Sequence, residues 1–352
     1  MKHRGEKVFV GLSGGVDSAV TAALLVRAGA QVTGVFIKGW YPPGMPCPWA
    51  ADRRDAMRVA ARLGIRFLTL DAIDAYKKNV IDYLLAEYAA GRTPNPDVMC
   101  NRDVKFGVFA DFATAHGADY IATGHYARSV HEADTAGTAL LRGVDRAKDQ
   151  SYFLWAVPQS VLARTLFPLG ELRKETVRNR ARAFRLPVAE KKDSQGICFL
   201  GDISLDELLR ATFTIVPGRA VDELGREVGQ HDGAMLYTIG ARVALVDALA
   251  GPWYVRAKRL QDNVLVVARE KWTAPALPQQ LSLHACNWIA DPARASEAQY
   301  RYHGPVVTGR ITNVDGGTAV FEARTQLPEP PVAGQSLVVY RGEECIGGGI
   351  IS

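Results

Sequence analysis

Hydrophobic and polar residues follow two different patterns along the chain, and the first covers roughly its first two hundred residues. Short apolar, β-branched runs predict buried strands, and stretches of helical spacing predict the helices between them. The predicted strands are residues 8–12, 32–37, 65–70 and 120–123. The predicted helices are residues 18–28, 52–63, 76–90 and 104–116. This order predicts an α/β fold, a parallel sheet with helices on both faces, and a ligand at the carboxyl ends of the strands.

The second pattern begins after Gly201, where glycine and proline turns separate short strand-like runs. Beyond about Trp272 only strands and turns are predicted. These strands are residues 281–285, 306–313, 318–323, 336–340 and 344–351. Short alternating strands with frequent turn residues predict a small β-barrel. We therefore expect three domains, which are residues 1–203, 204–272 and 273–352.

Composition narrows the class of protein. The chain has 352 residues, of which 48% are hydrophobic and 22% charged, and this excludes a mainly disordered protein. No run of about 18 uncharged apolar residues predicts a membrane span. The N-terminus has no long apolar core with a cleavage site, so we expect a cytoplasmic protein. Five scattered cysteines without Cys-x-x-Cys argue against a disulfide framework and a zinc motif.

The net charge of +5 is concentrated in one window. Between Arg164 and Lys192, nine basic residues and three acids give a net charge of +6. A local excess of this size is typical of a surface that binds a polyphosphate. A solvated helix face has the same composition, so charge alone leaves both interpretations open.

The strongest local motif is GLSGGVDS, residues 11–18, between the first predicted strand and helix. Gly14 and Gly15 allow backbone N–H groups to turn towards one anion. Ser18 is placed to cap the helix, whose positive end then faces the same anion. Residues 11–15 also satisfy Gly-x-Ser-x-Gly, the nucleophile elbow of hydrolases, although such an elbow normally follows an inner strand later in the chain. A plain glycine turn is the other alternative to a phosphate site.

A second motif, GRTPNPDVMCN, residues 91–101, surrounds a cysteine with polar residues and prolines. The two prolines are expected to hold Asn95 and Asp97 on a rigid loop rather than in a helix. Cys100 is expected just before the next helix, where the helix N-terminus and the nearby Arg102 favour the thiolate. Asp97 is a candidate for proton transfer. A buried structural cysteine is the alternative interpretation.

A third motif, KKDSQGICFLG, residues 191–201, places Cys198 beside a glycine and after two lysines. Two thiols in electropositive loops can exchange sulfur through a persulfide or a disulfide if the fold brings them together, which their spacing does not establish. The first motif resembles the pyrophosphatase loop of ATP-adenylating enzymes, in which an oxygen nucleophile attacks the α-phosphate of ATP. Together with that resemblance, the two cysteines indicate that ATP activates an oxygen and that sulfur replaces it.

These motifs resemble those of the tRNA-specific 2-thiouridylases, which make 2-thiouridine at the wobble position of certain tRNAs. The resemblance runs nearly end to end and extends to ATGHY (122–126), KDQSYFL (148–154), SQGIC (194–198), YTIG (237–240) and GGGII (347–351). It implies an N-terminal Rossmann-like ATP-pyrophosphatase domain with a parallel sheet, a small central domain that contacts tRNA, and a C-terminal β-barrel.

The resemblance also implies roles, position by position. The ATP site would be lined by Gly11, Leu12, Ser13, Gly14, Gly15, Val16, Asp17, Ser18, Ile37 and Gly124. The tRNA would contact Asn95, Pro96, Asp97, His125, Lys148, Asp149, Gln150, Arg301, Tyr302 and Gln335. Cys198 would carry a persulfide, Cys100 would be its partner thiol, and Asp97 would transfer protons.

The implied reaction is ATP-dependent 2-thiolation of the wobble uridine. The C2 oxygen attacks the α-phosphate of ATP, pyrophosphate leaves, and sulfur from Cys198 replaces AMP directly or after Cys100 releases it as sulfide. An oxidised Cys100–Cys198 pair must then be reduced. Mg²⁺ would be held through the ATP phosphates, without a dedicated metal site. The implied partners are tRNA and a persulfide relay protein or cysteine desulfurase, with no membrane partner.

The chain departs from the family pattern after Gly240, where Ala241-Arg242-Val243 replaces the usual Gln-Arg and Gly-Leu-Gly elements. This departure concerns the RNA contacts of the central domain and not the residues that carry out the reaction.

Two other functions share parts of the pattern. An amidating synthetase uses the same loop but needs an ammonia source, and no glutaminase-like cysteine–histidine arrangement is evident. An RNA-binding module with a vestigial nucleotide fold would bind tRNA without ATP.

Overall fold

The computed structural model describes residues 3–44, 49–131, 137–193, 201, 203–247, 251–270 and 278–352. These residues are organised by three sheets. Two buried apolar clusters cover the faces of the first sheet, and each of the other sheets has a core of its own. Within the described ranges, no helix is both long and apolar enough to cross a membrane.

The N-terminal region contains a five-stranded parallel sheet, as predicted. The strands of this region are β1 (Lys7–Gly11), β2 (Gln31–Lys38), β3 (Arg66–Asp71), β4 (Tyr120–Ala122), β5 (Ala127–His131), β6 (Thr138–Arg142) and β7 (Thr165–Leu166). Five of them pair in the order β3-β2-β1-β4-β7. The chain leaves β1 for β2 on one side, while β4 lies on the other. The ends of β1 and β4 therefore flank the crevice where such sheets bind ligands.

Helices cover both faces of this sheet and continue beyond it. The helices are α1 (Val16–Arg27), α2 (Trp49–Leu63), α3 (Ile73–Tyr76), α4 (Tyr83–Ala89), α5 (Pro96–Met99), α6 (Phe109–Ala115), α7 (Gln159–Leu162), α8 (Lys174–Ala183) and α9 (Leu205–Thr212). A π-helical segment, Lys77–Asp82, joins α3 to α4, and a second, Cys100–Val108, joins α5 to α6. The chain therefore forms one helical run from α3 to α4 and another from α5 to α6.

The second helical run corrects one expectation. It begins at Pro96, eight residues before the predicted start at Val104. Asp97 therefore lies in a helix and not on a rigid loop. The physical reason is that proline is favoured at the first helical position, where its missing N–H is not needed and its φ is already helical.

The central region forms a five-stranded sheet in the order β10-β11-β12-β8-β9. Its strands are β8 (Gly218–Val221), β9 (Glu227–His231), β10 (Arg242–Val243), β11 (Trp253–Arg259) and β12 (Val264–Ala268). Its core is small and includes the fully buried Val255, Leu265 and Val267.

The C-terminal region forms the predicted barrel. Its strands are β13 (Gln280–Trp288), β14 (Glu297–Gln299), β15 (Val306–Asp315), β16 (Thr318–Ala323), β17 (Ser336–Arg341) and β18 (Glu344–Ile351). Pairing of β13 with β18 closes the barrel. The hairpin β5–β6 extends the same sheet, because β6 pairs with β18. The sheet therefore joins the first and last predicted domains.

Candidate active site

The loop between β1 and α1 is cross-linked by its two serines. Helix α1 begins at Val16 with Gly15 as its N-cap, so the expectation that Ser18 caps the helix is wrong. The Ser18 hydroxyl donates instead to the Gly15 carbonyl oxygen (3.1 Å) and accepts from the Ser13 N–H (3.2 Å). Extended Gly15 starts the helix without a side-chain cap, which leaves Ser18, in the first turn, to brace the loop.

The same loop presents unsatisfied backbone donors. The N–H groups of Gly14, Val16 and Asp17 have no acceptor among the described residues. Donors at the start of a helix are common partners of phosphate oxygens, and the helix dipole favours negative charge there. Ser13, the nucleophile of a hydrolase elbow, shares a hydrogen bond with Ser18 (3.2 Å) and accepts one from the Gly15 N–H (3.3 Å). This arrangement fits a phosphate better than it fits an elbow.

Two neighbouring segments clamp the loop and leave room only for glycine. Gly14 has φ +79°, and a Cβ there would overlap the carbonyl oxygen of Asp52 at the start of α2. Gly124 follows β4, and a Cβ there would lie 2.8 Å from the Ser18 backbone nitrogen. The loop is therefore held at the predicted crevice between β1 and β4. Ile37, near the end of β2, is 7% exposed and packs in the adjoining core.

Asp17 is held by a lysine and a tyrosine that the sequence did not identify. Both of its carboxylate oxygens lie 2.8 Å from Nζ of Lys174, the first residue of α8. The Tyr126 hydroxyl donates to Asp17 Oδ1 at 2.8 Å. Burial and the charge of Asp17 raise the pKa of Tyr126, so the phenol stays protonated and donates. The sequence showed that Tyr126 lies in the ATGHY motif and Lys174 in the basic window, but not that either contacts Asp17.

The same lysine continues into a second cluster around Asp193. Lys174 Nζ lies 2.8 Å from Asp193 Oδ1, Arg178 NH2 lies 2.6 Å from it, and Lys148 Nζ lies 3.2 Å from Oδ2. Burial raises the pKa of Asp193, but the hydrogen bonds and charges of Lys174 and Lys148 outweigh it, and the pKa lies below its ordinary value. Asp193 therefore stays ionised and ties residue 148 to the phosphate loop through Lys174.

The basic window is neutralised in part by pairing within the protein. Two of its members take part in the cluster just described. Lys191 pairs with Asp52 and Asp55 of α2 at 2.8 Å, and Arg182 pairs with Glu190 at 2.7 Å. Members that remain exposed include Arg173, Arg185 and Lys192. The charge sum therefore overstated the surface available to an external polyphosphate.

Cys100 is fully buried and lies within the helical run that starts at Pro96. It is four residues inside that run, so the expectation that it precedes a helix is wrong. Arg102, which was expected to favour the thiolate, pairs with Asp103 at 2.8 Å. The neighbouring Asn101 donates from Nδ2 to the Phe153 carbonyl oxygen at 3.0 Å. This contact anchors the helix to the segment that follows residues 148–150.

His125 connects the phosphate loop to this helix. It follows Gly124, which packs on Ser18, and its ring centroid lies 5.7 Å from that of Phe106 in the helical run. Nδ1 is 2.8 Å from Thr123 Oγ1. Burial, together with the charge of nearby Lys105, holds the pKa of His125 well below its ordinary value. The histidine is therefore neutral and internal, and its predicted place near tRNA stays a prediction.

The other predicted RNA residues in the N-terminal region differ in exposure. Asp149 is 6% exposed, and its oxygens accept from the Gly143 N–H (2.8 Å) and the Ser151 N–H (3.1 Å). Gln150 Oε1 accepts from the Tyr126 N–H at 3.0 Å. Lys148 keeps 43% of its side chain exposed. Of these residues, Lys148 is best placed for direct contact with RNA.

The predicted RNA residues of the barrel also differ in exposure and in their contacts within the protein. Arg301 pairs with Glu329 at 3.2 Å. The ring of Tyr302, which is partly exposed, lies 4.4 Å from the ring of Phe153 and 4.0 Å from that of His303. Gln335 is turned towards the N-terminal region rather than to solvent. The structure therefore offers an aromatic surface at Tyr302 and a domain contact at Gln335.

Cys198 lies outside the described residues, together with the rest of residues 194–200. Asp193 is the last described residue before them. Whether Cys100 and Cys198 meet therefore stays a prediction. Among the described residues there is no group of three or more His, Cys, Asp or Glu side chains that could hold a metal ion.

Comparison with known proteins covers the whole chain. A family model described as a tRNA methyl transferase HUP domain matches residues 6–202, a tRNA methyl transferase PRC-barrel domain matches residues 207–269, and an aminomethyltransferase β-barrel domain matches residues 278–351. A tRNA-specific 2-thiouridylase from Hahella chejuensis is 43% identical over 99% of this chain and 98% of its own. The chain belongs to the tRNA-specific 2-thiouridylase family.

Other relatives agree with this assignment. A tRNA-specific 2-thiouridylase from Stenotrophomonas maltophilia is 44% identical over 98% of this chain and 93% of its own. Among solved structures, a U34-tRNA thiolase from Methanococcus maripaludis with its [4Fe-4S] cluster is 17% identical over 56% of this chain and 61% of its own, with a TM-score of 0.37. That likeness is too low to support an argument. The family resemblance predicted from the motifs is confirmed.

Proposed function

We propose that the protein catalyses ATP-dependent 2-thiolation of the wobble uridine of tRNA. Besides family membership, one observation supports this proposal most. Residues 123–125 contact the phosphate loop through Gly124 and the helical run of Cys100 through His125. A nucleotide bound on the loop and a base bound near Asn95–Asp97 would therefore lie in adjoining parts of one site.

The residues of the loop would bind the triphosphate and orient it. The unpaired N–H groups of Gly14, Val16 and Asp17 fit phosphate oxygens, and Lys174 adds a positive charge next to them. Bound ATP, with Mg²⁺ on its phosphates, would supply the AMP group that makes the C2 oxygen of uridine a leaving group. Asp17 would then lie beside the metal and the phosphates, with its position fixed by Tyr126.

The cysteines would supply sulfur. Cys198 accepts sulfane sulfur from a relay protein or a desulfurase and becomes a persulfide. Its terminal sulfur attacks C2, and AMP leaves with the former uridine oxygen. Cys100 then attacks the Cys198 sulfur, which leaves the second sulfur on the base and oxidises the pair to a disulfide. Two electrons from an external thiol restore both cysteines. In the second route Cys100 releases sulfide before the attack on C2.

Burial of Cys100 bears on this route. Its side chain has no exposed surface, so neither the base nor an external thiol can reach its sulfur in this arrangement. The proposal therefore requires the surroundings of Cys100 to open when substrate is bound. Asp97, one turn earlier in the same helical run, is the proposed group for proton transfer.

Nucleoside mass spectrometry tests this function. tRNA is incubated with the protein, Mg-ATP and a persulfide donor, in parallel with Cys198→Ser and Cys100→Ser. We expect ATP-dependent 2-thiouridine with the intact protein and none with either variant. Absence of thiolation, under conditions where a 2-thiouridylase of the same family is active, would contradict the proposal. An absorption band of an iron–sulfur cluster would favour a different route of sulfur transfer.

A further inference from the structure

We propose that Gln335 of the barrel is a positioning residue for the loop that carries the target-base residues, an inference that rests on the proposed function. The loop runs from Thr93 to Asn95 and leads into the helix of Asp97 and Cys100. Gln335 would act through this backbone and not by touching the reacting atoms.

The contact is specific in its geometry. Gln335 Nε2 donates to the carbonyl oxygens of Thr93 (2.6 Å) and Pro94 (3.3 Å). Both partners are acceptors, so the NH₂ end of the amide must face them. The NH₂ group of Gln335 is therefore engaged by the loop in this arrangement.

The loop needs an outside donor because of its own sequence. Pro94 and Pro96 have no N–H, so this short stretch has few donors with which to satisfy its own carbonyl groups. Thr93 and Pro94 are buried, which makes an unsatisfied carbonyl costly. The barrel meets this need with a side chain that lies about 240 residues later in the chain.

Neighbouring backbone contacts strengthen the junction. The Thr93 N–H donates to the Ala333 carbonyl oxygen at 2.9 Å. Gly334 has φ +89°, and a Cβ there would lie 3.1 Å from the backbone nitrogen of Thr93. The two backbone segments therefore approach as closely as glycine allows. Gln335 itself is fixed, since its N–H bonds the Val332 carbonyl and its carbonyl accepts from Ile351. The turn that leads into β17, held by these backbone hydrogen bonds, therefore sets where the helix at Pro96 begins.

The test replaces Gln335 with methionine, which is similar in length and lacks the donor and any charge. Gln279→Met, at an exposed position on the same barrel, is the matched control. We expect single-turnover thiolation by Gln335→Met, at saturating tRNA and ATP, to fall about tenfold to a hundredfold, because small displacements of a reacting group have effects of this size. The tRNA Kd should stay within twofold, and Gln279→Met should match the wild type.

Hydrogen exchange in the free protein is the second readout. We expect the amides of Asn95 and of residues 97–100 to exchange faster in Gln335→Met than in the wild type, with no change in Gln279→Met. A weaker tRNA Kd with full recovery of the rate at saturating tRNA would overturn the proposal and make Gln335 an RNA contact. An unchanged rate with unchanged exchange would also overturn it. If the wild type makes no 2-thiouridine, the proposed function fails, and exchange alone decides the role of Gln335.

Discussion

Two loops at this site are built by opposite means. The phosphate loop, residues 11–18, uses glycines, leaves N–H donors unpaired, and is anchored by the charges of Asp17 and Lys174 within the N-terminal region. The loop at residues 93–95 uses proline, has carbonyl groups in need of donors, and is anchored by a neutral amide from the barrel. A ligand could accept hydrogen bonds from the unpaired N–H groups of the first loop. The carbonyl groups of the second loop already accept hydrogen bonds from the barrel. We infer that the first is sensitive to charge and the second to domain contact.

The largest expected effect concerns glycine in the phosphate loop. Gly14→Ala should weaken binding of a non-hydrolysable ATP analogue at least tenfold, which is about 1.4 kcal/mol, because left-handed backbone is strained for alanine and the new methyl group overlaps Asp52. Gly64→Ala is the matched control, since Gly64 has φ +65° with open space around it. Calorimetric titration measures both. Equal affinities of the two variants would show that close packing does not shape this loop.

The next effect concerns the charge anchor. Asp193→Asn should lower the free energy of unfolding by about 1 kcal/mol, because it leaves Arg178 without its carboxylate partner and Lys174 with Asp17 alone. Glu190→Gln removes the acid of an exposed pair with Arg182 and should change stability very little. Urea unfolding measures both changes. An equal loss of unfolding free energy in both variants would contradict the distinction between the partly buried Asp193 cluster and the exposed Arg182–Glu190 pair.

The smallest effect concerns His125, which lies between Gly124, packed on the phosphate loop, and Phe106 of the helical run that follows the second loop. Its pKa is lowered in the folded state, so the unfolded chain binds the proton more readily, and stability is lost as the pH falls below about 6.5. The slope reaches at most about 1.4 kcal/mol per pH unit. His125→Gln should lack this pH dependence of stability between pH 6.5 and 5. Thermal unfolding of wild type and variant at several pH values measures the difference. Parallel pH profiles for wild type and variant would contradict a buried neutral histidine.

The parallel sheet and the barrel could be predicted because each follows from a local pattern. β-branched runs separated by helical spacing predicted the first, and alternating strands with turns predicted the second, although the short strands β7 and β14 and the hairpin β5–β6 were missed. The site motifs were predicted for the same reason, since residues 11–18 and 91–101 are continuous in sequence.

Other features depend on contacts that no local pattern contains. Pro96 was expected to keep its neighbours out of a helix, although proline is favoured at the first position of a helix. The charge sum of the basic window could not show that Lys191 reaches Asp52 and Asp55. The assignment of Gln335 to RNA, made by resemblance, stays a prediction, and no local pattern contained its hydrogen bond to Thr93. Each case requires knowledge of which segments meet.

The most direct test of the central claim follows one oxygen atom. tRNA carrying ¹⁸O at C2 of the wobble uridine is thiolated by the protein with Mg-ATP and a persulfide donor, and the AMP that is released is examined by mass spectrometry. The account predicts one ¹⁸O atom in AMP for each 2-thiouridine formed, because in the proposed mechanism the C2 oxygen attacks the α-phosphate and leaves with AMP. Thiolated tRNA accompanied by unlabelled AMP, or formed without ATP, would contradict it.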